Sequence, residues 1–153
     1  MRHTTETAHE ISQRVLDATG HALLCGDVKS FVTFFNLPME IQTYEGQTLI
    51  QTVDGIRKVY QSVRNHYQKI GVTDMVRHCV AASHLDSKTI LTTHETRLLN
   101  GVVMVQKPFP AMSTLRLEGI HWRITSTSYA IEDCDDHNLA LMSAGERSEF
   151  SVG

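Results

Sequence analysis

Long apolar runs are missing from this sequence. No stretch approaches the roughly 20 residues that a membrane span needs. Met1-Arg2-His3-Thr4-Thr5-Glu6 has no apolar core of the signal-peptide kind, so neither a membrane partner nor an export signal is expected. Cysteine is scarce. Cys25, Cys79 and Cys134 are three, widely spaced, with no Cys-x-x-Cys; this argues against a disulfide framework or a cysteine zinc site and fits a reducing cytoplasm. Positive charge is not in excess: the formal net charge is -3 and no basic stripe is present, so nucleic acid is not an expected partner. Catalytic signatures are lacking as well. His94-Glu95 does not extend to His-Glu-x-x-His, because position 98 is Leu98, and there is no Gly-x-Ser-x-Gly and no phosphate loop. No spacing supports a metal site or a cofactor, and none is expected.

What is present is a chain of 153 residues with an apolar fraction of 41%, which suits one domain with a real core. The stretch from Asp74 to Ile131 organises it and reads as four consecutive antiparallel strands. Asn100-Gly101 separates Thr92–Leu99 from Val102–Val105, and Asn-Gly tolerates the positive φ that a hairpin turn needs. Glu118-Gly119 separates Met112–Leu117 from Ile120–Ala130, and a third turn lies near Asp86-Ser87.

A two-residue loop at Glu118-Gly119 puts Leu117, Leu115 and Ser113 on one face with Ile120, Trp122 and Ile124. Continued alternation places Ser126, Ser128 and Ala130 on that apolar face and Thr127, Tyr129 and Ile131 on the other. The hairpin at Asp86-Ser87 leaves two registers open. A two-residue loop sets His78 opposite Glu95, and His94 on the other face opposite Cys79. A three-residue loop gathers His78, Val80, His94, Thr96 and Leu98 on one side and leaves Arg77, Glu95 and Arg97 on the other; this second register is favoured. Pro108 and Pro110 interrupt the third strand.

Ahead of the sheet, Thr5 to Leu24 reads as a helix, with Ile11, Val15, Ala18 and Ala22 at spacings of three and four. Asp27 is placed to cap a short second helix through Phe35. Leu37–Tyr44 and Gln47–Val53 form a hairpin around Gly46. The clearest helix runs from Asp54 to Ile70, with Ile56, Val59, Tyr60, Val63, Tyr67 and Ile70 as its apolar stripe and Gly71 as its terminator. After Ile131 the chain turns acidic, with Glu132, Asp133, Asp135 and Asp136 around Cys134. Residues 132–153 read as a solvated connector and tail, with a helix start at Asn138–Met142.

The order helix, helix, hairpin, amphipathic helix, four long antiparallel strands resembles the NTF2-like superfamily, and within it the SnoaL-like group. Three segments carry the resemblance: Leu24-Cys25-Gly26-Asp27, Arg77-His78, and Gly119-Ile120-His121-Trp122-Arg123-Ile124, which is similar to that group's Gly-x-Trp-Arg-Ile pattern. The resemblance covers about Glu6 to Ile131, a single domain at 1–131. It implies an α+β cone: a strongly curved antiparallel sheet packed on three helices, with an internal pocket and a homodimer formed through the outer sheet face. Its members include cyclases, isomerases, dehydratases and non-catalytic modules, so it does not give a function.

Carboxylate chemistry in the pocket is not expected, because Glu40 and Glu95 fall on outward parity. His78 belongs to the Arg-His pattern, whose histidine sits in the pocket of some such proteins. With His94 it forms the candidate acid/base pair, since imidazole titrates near neutrality. Met39, Tyr60, Trp122, Ser126 and Ser128 are the candidate pocket residues. Two readings stay open. One is a small-molecule binder for an apolar or cyclic ligand, with lyase, cyclase or isomerase chemistry by His78 and His94. The other is a non-catalytic dimeric binding or assembly module whose cone is filled by its own side chains.

Overall fold

The computed structural model describes residues 6–144. Helix α1 spans Ala8–Cys25 and opens with a reciprocal cap: Thr7 Oγ1 accepts from Glu10 N, and Thr7 N donates to the Glu10 carboxylate. Asp27 caps α2, Val28–Val32, by accepting from Ser30 N at 3.0 Å. This helix ends three residues before the expected Phe35, because Phe35 already belongs to β1. Strands β1 (Phe35–Thr43) and β2 (Gly46–Ile50) form the hairpin, and α3 runs Val53–Ile70. Then follow β3 (Asp74–Asp86), β4 (Thr89–Asn100), the short β5 (Val103–Met104), β6 (Phe109–Glu118), β7 (His121–Tyr129) and α4 (Asp135–Leu141).

The strands form one seven-stranded sheet in the order β2-β1-β7-β6-β4-β3, with β5 on β4. All pairs are antiparallel except β1 with β7, which run parallel. The curved sheet wraps α1 and α3. The interior is filled from the helices by Ile11, Val15, Val59, Tyr60, Val63 and Tyr67, and from the sheet by Met39, Ile41, Ile90, Leu98, Leu115 and Ile124. No helix among the described residues is long and apolar enough to cross a membrane.

Register departs from the expected alternation at three points, each an irregularity that puts one extra residue on a strand. The β6–β7 turn is Gly119-Ile120, so Leu117 pairs with Trp122 and Leu115 with Ile124. A shift between Thr114 and Leu115 then reverses the parity of β7, and Thr114 pairs with Ser126 and Ser113 with Thr127. Thr127 therefore faces inward and Ser128 is exposed, the opposite of the expected arrangement. Gly119 takes φ 65°, the left-handed turn conformation that favours glycine.

The β3–β4 hairpin turns at Ser87-Lys88 and carries shifts between Cys79 and Ala81 and between His84 and Asp86. The outcome is His78 opposite Glu95 and Cys79 opposite His94, the register that was not favoured. β6 is continuous through Pro110, which pairs with Glu95; the break expected there lies before Phe109.

The segment after Ile131, read as connector and tail, contains α4, and His137, Asn138 and Leu141 on it are buried. Asn138 Nδ2 donates to the Ile131 carbonyl at 3.0 Å, which ties α4 to the end of β7. The acidic residues Asp135 and Asp136 lie in its first turn, where the exposed amide ends of a helix favour negative charge. Residues 145–153 lie outside the described residues.

Candidate functional site

Between the helices and the concave face of the sheet lies a cavity of about 70 Å³. A single water needs about 10–15 Å³ of such volume, so the cavity holds several waters or a small organic molecule. Most of its wall is apolar, with Val15, Leu16, Met39, Ile56, Val63 and Ile124 among the contributors.

The polar groups come from adjacent rows of the sheet. Arg77 on β3, Thr96 on β4 and Phe109 on β6 are successive partners in one row. Cys79, His94, Ala111 and Tyr129 form the next, and Thr92, Ser113 and Thr127 the one after. Ala111, between His94 and Tyr129, carries only a methyl.

His94 is 2% exposed and neither ring nitrogen has a hydrogen-bond partner. Burial, with a smaller contribution from the Arg77 charge, pushes its pKa down to about 3. The ring is neutral at physiological pH and offers one donor and one acceptor. Ser12 Oγ on α1 and Thr96 Oγ1 on β4 also line the cavity and also lack partners. Buried polar atoms are normally paired, and these four unpaired atoms are grouped around one void.

Other polar groups are satisfied. Ser113 and Thr127 share a hydrogen bond at 2.8 Å, and Tyr60 donates to the Ala22 carbonyl at 2.8 Å, bridging α3 to α1. At the α4 end, Tyr67 OH meets His137 Nε2 at 3.4 Å, and Gln106 Nε2 lies 2.9 Å from His137 Nδ1 and its Oε1 3.2 Å from His66 Nε2. His137 is held down to about 3 by burial and then by its neighbour His66.

The residues named from the sequence divide. His94, Met39 and Tyr60 line the cavity. His78 does not: it is exposed on the outer face of β3, opposite Glu95, and the sheet separates it from His94. The β7 shift turns Ser126 and Ser128 onto an outer shallow groove with Glu40, Gln42 and Met112. Trp122 packs against the rim of the core and stacks edge-on with His84 at 5.9 Å, away from the cavity.

Arg77, Thr96, Thr127, Tyr129 and His137 were missed. For Thr127 and Tyr129 the missing signal was the bulge. For Arg77 a signal existed: it alternates with Met75 and Cys79, both inward, but a charged side chain is ordinarily assigned to the solvent side. Among the described residues no group of three or more His, Cys, Asp or Glu is placed to hold a metal ion.

Solved structures share this arrangement. The chain superposes on an NTF-2 like protein of unknown function from Shewanella oneidensis MR-1 with a TM-score of 0.62, at 10% identity over 78% of this chain and 95% of that one. The chain has the NTF2-like fold. A ketosteroid isomerase-like protein from Erwinia carotovora atroseptica SCRI1043 matches with a TM-score of 0.59, at 13% identity over 84% of this chain and 99% of that one. A domain of unknown function with a cystatin-like fold from Nostoc punctiforme PCC 73102 matches with a TM-score of 0.62, at 15% identity over 90% and 86% of the two chains. No protein-family model and no curated protein matches the sequence. The NTF2-like fold accounts for the cone and its cavity; at these identities it carries no activity.

Proposed function

We propose that this NTF2-like chain binds a small, mostly apolar molecule, a ring or short chain, inside the cone. The observation that carries this reading is His94: a buried, neutral imidazole with both nitrogens unpartnered, set in the wall of a mostly apolar cavity. A ligand with one polar group completes its hydrogen bonding, and the apolar wall takes the remainder.

Histidine acid/base chemistry of the lyase, cyclase or isomerase kind involves His94 without His78. An imidazole with a pKa near 3 orients and polarises a ligand more readily than it takes up a proton. Among the described residues no aspartate or glutamate lines the cavity, which counts against carboxylate base chemistry. The Arg77-His78 and Gly119–Ile124 segments support a SnoaL-like affiliation, and the three free thiols suit a reducing cytoplasm.

Titration with cyclohexanone and cyclohexanol, followed by methyl NMR, tests the reading. Shifts are expected at Met39, Val63 and Ile124 and are expected to disappear in His94→Phe. Silent cavity methyls throughout would remove it.

A second reading has its own support. Val76, Val80 and Met112 on the outer sheet face are 47%, 58% and 56% exposed, and such an apolar patch suits a homodimer through that face, as in an assembly module. Light scattering at micromolar concentration is expected to give twice the chain mass; a monomer overturns it.

A further inference from the structure

Arg77 is a cation lining the cone without an anion among the described residues. It is half-buried at the cavity wall. Its Nη1 donates to Thr19 Oγ1 at 2.7 Å and to the Leu16 carbonyl at 3.2 Å, which ties β3 to α1. Nε and Nη2 make no hydrogen bond among the described residues, and no ion pair to Arg77 is present among them. The one acidic group whose charge acts on it, Asp17, is exposed and accepts a hydrogen bond from Gln13.

The groups within electrostatic reach inside the cone are all uncharged: His94, Tyr67 and Tyr129. Burial raises both phenols, so they remain O–H groups able to donate. Arginine does not relieve its burial by losing a proton. A half-buried guanidinium at a cavity wall, with Nε and Nη2 unpaired among the described residues, is therefore short of a charge partner, and a carboxylate matches that fork with two parallel hydrogen bonds.

We propose that the ligand of the cone is a small organic monocarboxylate, held as its anion by Nε and Nη2 of Arg77, with its apolar body against the wall of Met39, Val63 and Ile124. The inference rests on the ligand-binding reading above and names the chemical class. Two features select a monocarboxylate over a phosphate. The cavity is small and mostly apolar, and Arg77 is the one cationic side chain among its described lining residues; a dianion would be left with excess buried charge.

The test compares each acid with the primary alcohol of the same skeleton: benzoate with benzyl alcohol, cyclohexanecarboxylate with cyclohexylmethanol, hexanoate with hexanol. Affinities are measured at pH 7 by calorimetry and methyl NMR, on the wild-type chain and on Arg77→Met, which keeps the length of the side-chain stem. At least one acid is expected to bind about tenfold or more tighter than its alcohol. In Arg77→Met the ratio is expected to fall to about one while the alcohol still binds. Equal binding of acid and alcohol by the wild-type chain overturns the carboxylate inference and leaves the binding reading standing. If neither series binds, both fall. Should Arg77→Met fail to fold, the wild-type ratio decides by itself.

Discussion

Gly20 gives Arg77 its path along α1: a Cβ added at Gly20 would stand 3.1 Å from Arg77 Cδ and 3.3 Å from Met75 Sδ. The arginine cannot easily yield, because Nη1 is fixed by Thr19 and Leu16. Glycine in mid-helix is ordinarily a cost of about 1 kcal/mol relative to alanine, so its place here reflects the close approach of β3. Gly20→Val is expected to destabilise the fold by about 1–3 kcal/mol through overpacking. Urea denaturation reads this as a lower midpoint, and an unchanged midpoint would contradict it.

Acid is expected to weaken the protein through His94 and His137. Both have a folded-state pKa near 3, against an ordinary value of 6.5. Between those values the unfolded chain holds the proton and the folded chain does not, so stability is complete above about pH 6.5 and is lost as pH falls toward 3. Each histidine contributes a slope of up to about 1.4 kcal/mol per pH unit within that window. Urea midpoints at pH 7.5, 6.5 and 5.5 should fall in that order, and His94→Phe should flatten the trend. A midpoint independent of pH over this range would refute the burial of both rings.

The bulge in β7 can be read by mutation. Ser113 and Thr127 exchange a buried hydrogen bond, whereas Ser128 is exposed. Ser113→Ala removes this buried hydrogen bond and is expected to cost about 1 kcal/mol. Ser128→Ala should stay within about 0.5 kcal/mol of wild type. Reversed magnitudes in chemical denaturation would restore strict alternation along β7.

Helix α4 should behave as part of the core. Leu141 is 5% exposed, and Asn138 and His137 are 1% exposed. Leu141→Ala is expected to destabilise by about 2–4 kcal/mol. A chain ending at Ile131 is expected to lose cooperative unfolding, since the Tyr67–His137 contact goes with it. Thermal unfolding of the two variants checks this; wild-type behaviour in the shortened chain would make α4 an appendage.

Much of the fold was readable from local pattern. The stripe from Ile56 to Ile70 gave α3 to within a residue, and the polar break at Asn100-Gly101 gave the end of β4. Parity on β4 was also legible, because Ile90, Thr92, His94, Thr96 and Leu98 alternate cleanly. Irregularities were not legible, since an extra residue in a strand leaves no mark in composition. The one in β7 moves every later side chain to the other face and displaced Ser126 and Ser128 from the site; the two in β3 cancel, and the two-residue turn at Ser87-Lys88 is what sets His94 opposite Cys79 and leaves His78 on the other face. Arg77 was hidden by a sound rule applied to an exception. The acidic start of α4 looked like a solvated linker because helix-initiating aspartates and linker aspartates are the same residues.

The parallel pairing of β1 with β7 sets an order of assembly. Phe35 pairs with Ile124 and Ile41 with Thr127, so the hairpin of β1 and β2 finds its neighbour only after nearly all of the described chain exists. The meander from β3 through β7 can zip up by successive hairpins, but the cone has no closed wall until its earliest strand joins its last one. Contacts so distant in sequence form slowly. During synthesis β1, with Met39 and Ile41 on its inner face, has β2 beside it but must wait for β7, so the cavity is closed late.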